Sequence, residues 1–102
     1  MKKYRLKLST IDFRFLQSVL LKLAEAYKYQ LPEHIEHQLL MELYDSKFNV
    51  SVVEQDLQKT MILPRSVVMA LHTLLKEIPL NGEANIIRNN MFNDLDVFLD
   101  TL

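Results

Sequence analysis

The chain has 102 residues, 49% of them hydrophobic and 25% charged, with a formal net charge of −1. That is long enough for one domain with its own core and too apolar for a disordered segment. It contains no Cys and a single Gly, Gly82. Disulfide frameworks, thiolate zinc sites and Cys nucleophiles are therefore excluded, as are glycine-rich phosphate loops, dinucleotide fingerprints and nucleophile elbows.

Lys2 and Lys3 give the start a basic opening, but Asp12 and Arg14 soon break up the apolar residues after it. No continuous apolar stretch of the secretory kind is present, and no uncharged run approaches the length of a membrane span. The expected compartment is the cytoplasm, with no membrane segment.

Tyr4, Leu6 and Leu8 alternate with Lys3, Arg5 and Lys7, the period of a half-buried strand with one basic face. Ser9 with Asp12 three residues later approximates a capping box. The first helix should run from about Ile11 to Tyr27. Phe13, Phe15, Leu16, Val19, Leu20, Leu23, Ala24, Ala26 and Tyr27 cover about half its circumference. Such an arc suits a central helix, with Leu16, Leu20 and Leu23 almost fully buried and Leu21 alone among polar neighbours.

A second helix should open at Pro32 and fade by about Ser46, with Ile35, Leu39, Leu40 and Leu43 as its stripe. Phe48, Val50 and Val52 alternate again, so an additional strand near residue 48 competes with an irregular return. From about Leu57 to Leu63 a strand is expected, stopped by Pro64, which suits the start of a third helix to Ile78. Val67, Leu71, Leu74, Leu75 and Ile78 share a face of that helix, with Val68 beside them. Pro79 stops it and Asn81-Gly82 marks a turn. A last helix from about Glu83 should bury Ile87, Met91, Leu95, Phe98, Leu99 and Leu102, with Phe92 at the edge.

The expected fold is α+β: four helices packed on a small sheet of two or three strands, in the order β-α-α-β-α-α. One domain should span residues 1–102, and the order itself suggests a pseudo-repeat of 4–46 and 57–102. Residue identity between the two is poor beyond Leu20-Leu21-Lys22 against Leu74-Leu75-Lys76.

Few residues point to chemistry. His34 and His37, in Glu33-His34-Ile35-Glu36-His37, are three apart and so share a helix face. A zinc site needs three or four ligands, and the spacing fits neither zinc-protease motif. A solvated first turn is the better expectation, with no metal and no cofactor. The serines sit in no nucleophile motif, and the paired acids Glu33/Glu36 and Asp94/Asp96 fall where surface charge belongs. No catalytic residues and no small-molecule substrate are expected.

Lys2, Lys3, Arg5 and Lys7 form a basic stripe fit for phosphate. The plainer account is that an edge strand carries lysines to block stray pairing. Residues 1–28 hold seven Lys or Arg against two acids, whereas 83–102 hold one Arg against four acids. On the last helix, Ile86, Asn90, Asn93 and Val97 make a second stripe at coiled-coil spacing. With Leu21 they are the candidate partner contacts, against the plainer reading of incidental exposed aliphatics. Asn81, Asn85, Asn89 and Asn93 recur every four residues as a solvated face. The expected function is a non-catalytic protein-interaction, accessory or regulatory module, working through a protein partner or as a homodimer. The alternative is a nucleic-acid-associated protein using the basic N-terminal strand. A metal-dependent enzyme is a third and weaker reading.

Overall fold

The computed structural model describes residues 3–28, 33–49, 59–78 and 82–100. Strand β1, Tyr4–Leu8, turns its small apolar set inward and its cations outward, as a period of two dictates. Strand β2, Lys59–Leu63, has the same alternation of burial. The two pair antiparallel, with Leu6 opposite Met61, Arg5 opposite Ile62 and Lys7 opposite Thr60.

Each strand feeds a helix directly. Helix α1, Thr10–Ala26, begins after Ser9, whose extended backbone ends the strand. The Ser9 Oγ accepts the Asp12 N–H at 3.2 Å and its carbonyl accepts the Phe13 N–H at 2.8 Å. The first satisfies a donor that a helix start otherwise leaves unpaired, and the second is the first bond of the helix ladder. Helix α3, Arg65–Glu77, follows Pro64 in the same way, and the Pro64 carbonyl accepts from Val67 and Val68.

Helix α2 spans Ile35–Leu43 and starts later than a Pro32 opening predicts. Glu33 is a bend and His34 is the extended residue before the helix. Glu33, His34 and Ile35 are all exposed, so an earlier turn would bury nothing, and short helices are held mainly by packing. Pro32 itself lies outside the described residues.

After α2 the backbone widens into a π-helical turn, Tyr44–Phe48, closed by the Asn49 N–H on the Tyr44 carbonyl at 2.8 Å. Phe48 is therefore helical, not the first residue of a strand. The wider turn swings Phe48 beneath Leu43, five positions earlier, whereas a period of 3.6 would point it away. Its ring is fully buried and stacks on Phe13 at 4.8 Å between centroids. The Gln17 side chain donates to the Phe48 carbonyl at 2.7 Å, which secures the exit. Val50 and Val52 lie outside the described residues.

Helix α4, Gly82–Asp100, starts at a glycine with a φ of 64°, a left-handed conformation that an L side chain rarely adopts. The helices pack α2 on α3 and α3 on α4, and α1 touches both α2 and α4. The core takes Phe13, Leu16 and Leu20 from α1, Leu40 and Leu43 from α2, Val68, Leu71 and Leu75 from α3, and Met91, Leu95 and Phe98 from α4. Leu6, Leu8, Met61 and Leu63 close it from the sheet. Leu23 is only partly buried, because it lies in the last turn of α1, where Glu25 and Ala26 already face water. The architecture is thus four helices on a two-stranded antiparallel sheet, in the order β-α-α-β-α-α.

A single sequence offset relates the two halves. The shift that carries Tyr4–Leu8 onto Lys59–Leu63 also carries Ser9 onto Pro64. It further carries Phe13 onto Val68, Leu16 onto Leu71, Leu20 onto Leu75, Leu40 onto Leu95 and Leu43 onto Phe98, all of them core residues. Leu6 and Met61, directly paired, are each other's counterparts. The antiparallel register gives the ribbon a local pseudo-two-fold axis at this pair, which the helices follow only loosely: α2 packs broadly on α3, whereas their counterparts α4 and α1 meet only slightly. The matching triplets Leu20-Leu21-Lys22 and Leu74-Leu75-Lys76 are out of this register by one position.

Candidate nucleic-acid interface

Packing the inner face of the ribbon on the helices forces every second side chain outward. The outer face carries Arg5 and Lys7 from β1 and Thr60 and Ile62 from β2, all exposed, with exposed Lys3 just before β1. Opposed residues on one face stand roughly 5 Å apart, so the four form a tight block around the pseudo-two-fold axis. Neither strand contains an acidic residue. Among the described residues, no salt bridge joins Lys3, Arg5 or Lys7 to a carboxylate. Lys2 lies outside the described residues.

Two acids, Asp12 and Asp94, lie at the edge of β1 beside Lys7. A small cleft of about 130 Å³ is lined there by Tyr4, Lys7, Asp12, Asn90 and Asp94 among others. The Tyr4 hydroxyl titrates above its ordinary value, first because burial disfavours the phenolate and second because Asp94 is near. Its ring meets Phe98 edge-on at 5.1 Å, which fixes the strand against α4. Lys59, at the inner side of β2, folds back over the Phe13 ring at 4.8 Å.

The sequence alone marks Lys3, Arg5 and Lys7, and the structure gathers them on one surface. It adds Thr60 and Ile62, which the sequence marks only as members of an expected strand, since which strand faces β1 and in what register is a tertiary fact.

The other candidate groups lie elsewhere. Ile86, Asn90, Asn93 and Val97 are exposed on α4, Ile86 at 61% and Val97 at 64%, while Leu21 is exposed on α1. Asn85 departs from the expected solvated asparagine face: it is half-buried and accepts a hydrogen bond from Arg88. The same Arg88 donates to the carbonyls of Leu75 and Ile78 at 3.0 and 2.9 Å, capping the end of α3. Nothing in the sequence pattern singles out this clasp, because it joins residues on two helices.

His34 and His37 meet edge-to-face at 5.8 Å, and His37 Nδ1 shares a hydrogen bond of 2.8 Å with the Tyr27 hydroxyl. With Glu36, Thr73 and Glu77 they line an open cleft between α2 and α3. Among the described residues, no three His, Asp or Glu side chains are grouped to hold a metal ion. His72 stacks on Phe92 at 4.3 Å and places Nε2 3.1 Å from Asp96, a tie between α3 and α4. No helix among the described residues is long and apolar enough to cross a membrane.

Comparison of the chain with protein-family models, with curated proteins and with solved structures finds no match.

Proposed function

We infer that this chain binds duplex DNA with the outer face of the β1–β2 ribbon laid into the major groove, as a non-catalytic regulatory or accessory module. One observation carries this: Arg5 and Lys7 project from a two-stranded ribbon that bears no acidic residue, with exposed Lys3 just before it. The major groove, about 12 Å wide, admits a two-stranded ribbon, and two paired strands are about 4.8 Å apart. Cations at its rim neutralise phosphates and release counterions. The formal net charge of −1 does not oppose this, because affinity follows the local field and the two strands themselves carry no acid.

Fluorescence anisotropy with a mixed-sequence duplex tests it. Binding should weaken steeply between about 50 and 200 mM salt, and removing Lys3 or Lys7 should each reduce the log–log salt slope by about one. A triple Lys3→Ala, Arg5→Ala, Lys7→Ala chain that binds duplex as well as the natural one would overturn it.

A second reading rests on α4. Ile86 and Val97 stand exposed on a face that the core does not use, which supports a protein partner, or a second copy, seated on that helix.

A further inference from the structure

The ribbon is symmetric in its backbone and asymmetric in its side chains. The pseudo-two-fold axis through Leu6 and Met61 exchanges Arg5 with Thr60 and Lys7 with Ile62. A ribbon with equal side chains on both strands would present the same groups after a half-turn and would select a palindrome. Here the half-turn replaces a row of cations with Thr60 and Ile62, both exposed, Ile62 at 58%.

The two rows have different chemistry for base edges. A guanidinium donates two hydrogen bonds to guanine O6 and N7, while an aliphatic side chain contacts the thymine methyl. Arg5 and Ile62 are direct cross-strand partners, roughly 5 Å apart, against a base rise of about 3.4 Å. They therefore reach neighbouring base pairs. Resting on the DNA-binding function proposed above, we propose that the ribbon reads a non-palindromic duplex in one fixed orientation, Arg5 taking a guanine and Ile62 a thymine methyl beside it. Lys3 and Lys7 then lie along one DNA backbone only, and the β2 row faces the other without a matching cation.

Selection from a duplex library with a randomised centre, using the full chain, tests this directly. The enriched sequence should differ from its own reverse complement and contain a guanine next to a thymine. Arg5→Ala should lower preference for that guanine by about ten-fold or more while leaving the other positions unchanged. Replacing the thymine with deoxyuridine, which removes only the methyl, should weaken the natural chain several-fold and Ile62→Ala not at all. A chain carrying Thr60→Arg and Ile62→Lys has like rows on both strands and should select a palindrome. Salt-dependent binding that is palindromic, or indifferent to sequence, would overturn the oriented readout and leave duplex binding standing. Absence of binding to any duplex would overturn both.

Discussion

Leu6 and Met61 face each other at the centre of the ribbon, and each holds in its own half of the chain the place that the other holds in the second half. Both point into the core, so the two β-α-α halves bury their apolar faces against one another across that pair. Deeper in the core, Leu20 on α1 and Leu75 on α3 are likewise counterparts, each about 1% exposed.

Leu20→Ala and Leu75→Ala should therefore be similarly damaging, each by about 2–5 kcal/mol in chemical denaturation. Either one should shift a single transition, since both sites belong to one core. A loss below about 0.5 kcal/mol at either position would place the centre of the fold elsewhere.

The Arg88 clasp is a second point of fixation. Its two bonds to the Leu75 and Ile78 carbonyls satisfy acceptors that the end of α3 leaves unpaired. Arg88→Ala should cost about 1–3 kcal/mol, read as a lower denaturation midpoint. Arg88→Lys should restore only part of it, since a lysine cannot offer the same planar fork. Equal stability of all three chains would show that the clasp does not hold the helices together.

Tyr4 makes stability depend on alkaline pH. Its hydroxyl titrates above the ordinary value of 10.0 in the folded chain. Below that value both states keep the proton and the group adds no pH dependence. Above it the unfolded chain loses the proton first, so the folded state weakens as pH rises toward the raised value. Tyr4→Phe should flatten this part of the decline in denaturation midpoint above pH 10, with no difference in slope at pH 7. An unchanged alkaline slope would show that Tyr4 does not control it.

Ile86 and Val97 are exposed enough to be changed without touching the core. The double variant Ile86→Asp, Val97→Asp should keep its stability within about 0.5 kcal/mol. If α4 is a contact between copies, analytical ultracentrifugation near about 10 µM, where micromolar association registers, should show a dimer for the natural chain and a monomer for the variant. A natural chain that sediments as a 12.0 kDa monomer there and at tenfold higher concentration would exclude the homodimer. Unfolding of the variant would instead assign those residues to packing.

Much of this fold is legible in the chain itself because its causes are local. Alternation at Tyr4–Leu8, the Ser9 cap, and the short run Thr60–Leu63 stopped by Pro64 each determine an element from neighbouring residues alone. Helical periodicity likewise marks Leu16, Leu20, Leu71, Leu75 and Leu95 as core. The cations of the candidate interface, Lys3, Arg5 and Lys7, come from the same alternation. Tertiary packing decided the rest. Phe48 reads as either the start of a strand or part of an irregular return, but burial against Phe13 draws it into a π-helical turn, a gain that no local pattern records. Leu23 has the right period and too few neighbours at the end of α1. Thr60 and Ile62 join the basic row only because β2 pairs with β1 in the register that sets Leu6 against Met61. That register is imposed by the helices behind the ribbon: a slip of one residue would turn Arg5 and Lys7 into the core and Leu6 into water.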